Sequence, residues 1–234
     1  MDKGNVRGEG VTDKKFIAQF AVLTFYIAFP ASGVLIVLGQ LGFSVDSTVY
    51  KSIRNLGMNI PYVVYILSPA IAGYIVLRRN RVIESFRQWL KAVFYAKASI
   101  FIYLFLVAVL VLYFLLHIVA SGFTQMTFPF YMFFLSLPGN LIIGGLEETG
   151  WSYILQPGLD KKFGYALSSV IVGIIWIFWH IPLFLIPGTD HYSGLIGFWM
   201  FAVQIIAFRF FYGAICRIAG KSRVFMCVLF HTMF

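Results

Sequence analysis

Two adjacent carboxylates, Glu147 and Glu148, lie in the stretch GGLEETGWSYILQPGLDKK, with apolar residues on both sides for many positions. An ionisable side chain near the bilayer centre costs at least about 2.5 kcal/mol, so one that persists there is a candidate functional group. Two carboxyls in low dielectric do not both ionise cheaply, which gives one base and one proton carrier. Such a carboxyl can take a proton from water and pass it to a leaving amine. His180, in IIWIFWHIP, is a second candidate, and His231, in the last apolar run, is a third. A histidine at the same depth orients the water or stabilises a developing oxyanion. Together these groups suit hydrolysis of a peptide bond in a membrane cavity. His and Glu also bind zinc, but HExxH is absent and the spacing does not select a metal. The bland alternatives are a carboxylate pair locking helices together and histidines bonded to neighbouring carbonyls.

These residues need elements to hold them, and composition says which kind. The chain has 234 residues, of which 60% are hydrophobic, 19% aromatic and 12% charged. Mean hydropathy is +0.86. A soluble domain is about 25% charged, so a soluble globule and a disordered chain are both excluded. The two cysteines, Cys216 and Cys227, are too few for a disulfide framework and read as free and structural. A net charge of +9 does not gather into one basic domain, so it points to membrane topology and not to nucleic acid.

A helical span needs about 20 mainly apolar residues. Charge-free runs at 16–45, 55–77, 98–146, 163–189 (His180 apart) and 192–208, then a final run from Val224, provide the material. The fold expected is an all-α polytopic membrane protein with six full transmembrane helices and a partial seventh. Barrel strands would alternate polar and apolar residues, and IFIYLFLVAVLVLYFLL does not. Residues 1–15 form a polar N-terminal segment and 16–234 a single helical membrane domain. The first run is too long for a signal-peptide core and is expected to be retained. Residues 78–97 are basic, with Val82, Phe86, Trp89, Val93 and Phe94 at roughly helical spacing. They suit an amphipathic helix on an anionic membrane surface or an ordinary loop helix.

Lys and Arg counts alternate along the connections. Four (Lys3, Arg7, Lys14, Lys15), two (Lys51, Arg54), six after Leu77, none, two (Lys161, Lys162), none, then four (Arg209, Arg217, Lys221, Arg223) place the N-terminus in the cytoplasm of a multi-pass cell-membrane protein. Glu147 lies 16 residues before Phe163 and His180 lies 17 after it. An antiparallel hairpin turning there raises both about 24–26 Å from the turn, so they face each other at one depth. His231, eight residues after Arg223, is only about 12 Å deep and needs a tilted or deeper helix start to join them. Trp151 and Trp176 read as packing residues, and Gly144, Gly145 and Pro138 as aids to close packing or a kink. His117 and His191 have no evident partner.

EETGWSYILQP, then WIFWH, then a late His resembles the CPBP family of membrane proteins. This group contains type II CAAX prenyl endopeptidases with bacteriocin-processing and immunity relatives, also called Abi. Its pattern is EExxxR, an aromatic ahead of a His, then HxxxN, and residues 144–234 carry the corresponding positions. The resemblance implies a glutamic endopeptidase without cofactor or metal, with catalytic Glu147, Glu148, His180 and His231. Glu147 would activate water, assisted by His180. His231 and an Asn four residues later would form the oxyanion site, and Glu148 would be the supporting carboxylate. Its partners would be the lipid bilayer and a membrane-associated, prenylated or unprenylated, peptide or protein.

Two positions depart from the pattern. The motif Arg is replaced by Ser152, so either Glu148 stays protonated or another cation reaches it. Arg209 is one candidate, although snorkelling to the interface is its more ordinary role. The motif Asn falls one position beyond Phe234, and the natural protein is expected to continue. Ser152 also leaves room for a catalytically impaired member acting as an immunity or scaffold protein. A small transporter with a carboxylate proton relay is a further rival, weakened by the lack of visible repeats.

Overall fold

A computed structural model describes residues 14–45, 59–121 and 130–233. The basic positions Lys3, Arg7, Lys51 and Arg54, the terminal Phe234 and the His117 side chain lie outside the described residues. All regular structure among the described residues is helical.

The first helix, α1 (Lys14–Gln40), is 27 residues long and contains Pro30. Next come α2 (Ile60–Ile66) and α3 (Ser68–Arg79), bent by 59° at their junction. Pro69 lies at the start of α3; a proline lacks the N–H that would continue the ladder, and its ring crowds the preceding turn. The basic stretch forms a short surface helix, α4 (Phe86–Val93), whose N-cap Ser85 accepts a hydrogen bond from the Gln88 amide at 3.2 Å. Only Trp89 and Val93 of its apolar residues are buried, whereas Phe86 and the C-cap residue Phe94 are about half exposed. The apolar α5 (Ile100–Ser121) and α6 (Phe130–Ile143) follow.

Beyond α6 the chain is helical but uneven. A 3-10 turn (Gly145–Glu147), one α turn (Glu148–Gly150) and a π turn (Trp151–Leu155) lead into α7 (Gln156–His180). A break at Gly164 (φ 73°, ψ 173°) divides α7, and the left-handed φ is a conformation that glycine adopts without steric cost. Past it the chain doubles back. Gln156 Nε2 donates to Ser169 Oγ at 3.5 Å, and Trp176 Nε1 donates to Glu147 Oε2 at 2.9 Å. Both pairs centre on the basic turn at 161–163, so the antiparallel hairpin forms where the spacing places it. A 3-10 turn (Ile181–Leu185), α8 (Phe198–Ile218), a second 3-10 turn (Gly220–Ser222) and α9 (Arg223–Thr232) complete the chain.

The packing is that of a protein in lipid. Outward faces carry Tyr26, Phe101, Val119, Trp199 and Met200, all mostly exposed. Inside, Trp179 stacks on Tyr65 at 4.9 Å, accepts that residue's hydroxyl proton at its carbonyl, and donates from Nε1 to Ser68 Oγ at 2.9 Å. These contacts lock α2 and α3 onto α7. Close approach of α3 to the irregular stretch requires Gly150, where a Cβ would stand 2.5 Å from the Pro69 carbonyl oxygen.

Among the described residues three segments are long and apolar enough to cross a membrane by themselves: Lys15–Gln40, Tyr131–Leu185 and Phe198–Ile218. The bent α2–α3 pair makes a fourth if it counts as one span. This is fewer than the six full spans and partial seventh expected from charge-free runs. The longest segment, 55 residues, contains the hairpin, so one continuous helical stretch covers two of the expected runs.

Candidate active site

The four expected residues come from three elements, and the uneven helix 145–155 presents the two glutamates. Glu147 is 3% exposed and Glu148 fully buried. π turns interrupt regular helical registry and recur at functional sites. Here the turn follows the glutamates and brings Trp151 and Ser152, each four positions on, back to them. Trp151 Nε1 donates to Glu147 Oε2 at 3.4 Å, and Ser152 Oγ donates to Glu148 Oε2.

The two carboxylates have different surroundings. Glu148 faces a cation: Arg209 Nη1 lies 3.2 Å from Oε1 and 3.0 Å from Oε2. His231 Nδ1 is 3.2 Å from Oε1. Glu147 has neutral donors only, the indoles of Trp151 and Trp176, both on Oε2. Among the described residues no donor meets its Oε1. The charge of Glu148 is therefore anchored by Arg209, while Glu147 keeps one oxygen for another partner.

Arg209 does not snorkel. Its side chain is fully buried, with Nη2 3.3 Å from Gln156 Oε1 and 3.5 Å from Ser152 Oγ. The guanidinium carbon lies 4.7 Å from the Tyr212 ring centroid and 5.4 Å from that of Trp176. A guanidinium is planar and weakly hydrated, so it tolerates an aromatic, carboxylate-bearing interior better than an ammonium does. The cation missing at Ser152 thus arrives from α8. A signal for it was present in the sequence. Arg209 is eight residues before Arg217 and His231 eight after Arg223, so an α8–α9 hairpin sets both about 12 Å from its basic end.

His231 reaches the site near the end of α9, two turns beyond Arg223, where its Nδ1 meets Glu148. Glycines let it approach. A Cβ on Gly144 would lie 2.9 Å from His231 Nε2, and one on Gly145 would collide with Thr232.

His180 is 8% exposed and its Nδ1 lies 2.8 Å from the Trp176 carbonyl oxygen. A carbonyl only accepts, so Nδ1 carries the proton and Nε2 presents a lone pair. It sits one turn beyond the register that matched it directly to Glu147. Trp176 occupies the matching position, because the mixed 3-10 and π turns do not rise uniformly by 1.5 Å per residue. Trp176 then stands between the histidines, with centroid distances of 5.3 Å to His180 and 5.4 Å to His231. Both tryptophans are hydrogen-bond donors to Glu147 as well as packing residues. Their fourfold spacing from Glu147 and His180 was the available sign.

His191 also finds a neighbour, its ring 6.1 Å from that of His180 and 5.0 Å from Phe201. Burial holds its imidazole below the ordinary histidine range, and its Nε2 meets no partner among the described residues. Cys216 and Cys227 are free thiols, 3.8 Å apart. Among the described residues no group of three or more His, Cys, Asp or Glu side chains is disposed to hold a metal ion.

An all-helical, lipid-exposed fold with paired carboxylates, tryptophan donors and two histidines buried at its centre defines a class: helical membrane proteins with an interior polar site. Residues 129–234, which contain every residue of the site, match the family of Rce1-like type II CAAX prenyl endopeptidases. A search of curated proteins finds no match.

Proposed function

We propose that the chain is a glutamic intramembrane endopeptidase hydrolysing peptide bonds of a membrane-associated peptide or protein. The observation that carries this reading is the unequal pair, with Glu148 fixed by Arg209 and Glu147 left with a free oxygen. Water held between Glu147 Oε1 and the lone pair of His180 Nε2 gives its proton to Glu147. The resulting hydroxide attacks the peptide carbonyl, and the same proton passes to the departing amine. His231, oriented by Glu148, faces the developing oxyanion. The Arg209 contact also removes the feature that favoured a catalytically impaired reading. We further read the chain as crossing the membrane six times with a partial seventh crossing, the bent α2–α3 pair counting once, α6 with the first arm of the hairpin once, and the second arm once.

The test is cleavage of prenylated and unprenylated membrane-anchored peptides by protein purified in detergent. Glu147→Ala is expected to abolish cleavage while leaving the melting temperature near that of the wild type, and chelators are expected to have no effect. Equal activity in the variant would overturn the proposal, and loss to a chelator that zinc restores would reassign the chemistry to a metal.

A further inference from the structure

At one end of the molecule an open cavity of about 740 Å³ lies along the surface helix α4. Arg87, Lys91 and Lys97 supply its cations, and Leu90, Phe94 and Tyr95 its apolar wall. The segment containing it runs from the end of apolar α3 at Arg79 to the start of apolar α5 at Ile100. Both neighbours leave the hydrocarbon there, which puts the groove at headgroup depth. Aromatic side chains at this level are usual, and Phe86 and Trp89 of α4 form a cluster with Tyr74 of α3, with centroid separations of 5.4–5.8 Å.

The charges are unbalanced. Between residues 78 and 97 there are six Lys or Arg and a single acid, Glu84. Among the described residues no salt bridge reaches Arg87, Lys91 or Lys97. Three unpaired cations beside an exposed apolar wall, at this depth, suit an anionic headgroup whose acyl chains continue into the bilayer. A soluble anion would have no use for the wall, and an acidic peptide would have no use for the depth.

We propose that this groove binds the phosphate headgroup of an anionic phospholipid. The site is separate from the glutamate cluster but not isolated from it. Trp89 and Val93 turn inward, and α4 packs against α9, the helix that carries His231. An anionic lipid in the groove therefore braces the element that positions one of the site histidines.

The experiment is native mass spectrometry of the detergent-purified full chain titrated with phosphatidylglycerol or with phosphatidylcholine of the same acyl composition. The wild type is expected to bind phosphatidylglycerol more tightly. Arg87→Ala/Lys91→Ala/Lys97→Ala is expected to weaken that binding on the order of a hundredfold, each cation near an anionic surface being worth a factor of about five. Arg78→Ala/Arg79→Ala/Arg81→Ala removes equal charge outside the groove and is expected to retain it. The charge-conserving Arg87→Lys/Lys91→Arg/Lys97→Arg is also expected to bind, which covers the case where the alanine variant fails to fold. Equal binding of the two lipids, or equal loss in both alanine triples, would overturn the proposal. So would displacement of the lipid by inorganic phosphate or by an acidic peptide, each of which would give the groove to a soluble ligand. None of these readouts depends on proteolysis.

Discussion

Replacing the motif Arg by Ser152 and supplying the cation from Arg209 has a cost and a test. A guanidinium and a carboxylate buried together offset their desolvation only while both are present, and removing one costs about 3–5 kcal/mol. Arg209→Ala is therefore expected to lower the melting temperature sharply and to abolish cleavage. Ser152→Arg alone places a second cation in a fully packed site and is expected to destabilise it. The double variant Arg209→Ala/Ser152→Arg returns the charge through the other side chain, and partial recovery of both melting temperature and cleavage is expected. No recovery would mean that Glu148 needs its α8 partner for more than charge. Trp176→Phe is a finer probe, since it keeps the ring and deletes the donor to Glu147. A hydrogen bond to a charged group is worth about 1.5–3 kcal/mol, so cleavage should fall roughly ten- to hundredfold with the fold intact. The identities of Glu147, Glu148, His180 and His231 were legible because a polar residue in an apolar run is conspicuous. The helpers were not, because tryptophan in a membrane span looks like packing and a lone Arg near a helix end looks like a snorkelling side chain.

Elements were legible in proportion to their regularity. The hairpin around 161–163 follows from a basic pair between two apolar runs, and Gln156–Ser169 and Glu147–Trp176 pair about that centre. The uneven stretch 145–155 was not legible, because no composition signal separates 3-10, α and π turns when tertiary contacts choose among them. Those contacts are close. Gly144 and Gly145 face α9 without side chains, and the fit leaves no room for even a methyl group. Gly144→Ala puts that methyl against His231 Nε2, so the imidazole must move away from Glu148 or α9 must shift outward. Inserted methylenes cost about 1–3 kcal/mol in a packed interior. Cleavage is expected to fall by a larger factor than that loss of stability alone explains, because the histidine is displaced directly. Melting temperature and cleavage rate measured on the same preparation separate the two effects, and proportionate losses would show that the glycine serves packing alone.

At the scale of the whole molecule, the Lys and Arg outside the site sort to one end among the described residues. Arg217 Nε lies 3.6 Å from Asp160 Oδ2, which joins the end of α8 to the basic turn of the hairpin. Asn80 Nδ2 donates to Gln19 Oε1 at 3.0 Å, which brings the end of α3 to the first turns of α1. With α4 packed on α9, the same end holds Arg78, Arg79, Lys161, Lys162, Lys221 and Arg223. The opposite end is marked by the Val45 amide donating to the Pro187 carbonyl oxygen at 2.9 Å, and the connection 186–197 has no Lys or Arg. A span of about 30 Å separates the two ends along the second arm of α7. Positive charge marks the cytoplasmic side, and on the proposed topology His180 and His191, at the end without Lys or Arg, face the other way. In a background lacking Cys216 and Cys227, a membrane-impermeant maleimide applied to intact cells is expected to label Leu195→Cys. Lys162→Cys should label only after permeabilisation. That outcome would have substrate enter from the non-cytoplasmic side, which a prenylated cytosolic tail cannot do, and the substrate would then be a membrane-associated peptide presented there. The reverse labelling would invert the orientation and restore the cytosolic tail. Labelling of both positions from one side would break the hairpin on which the site's geometry depends.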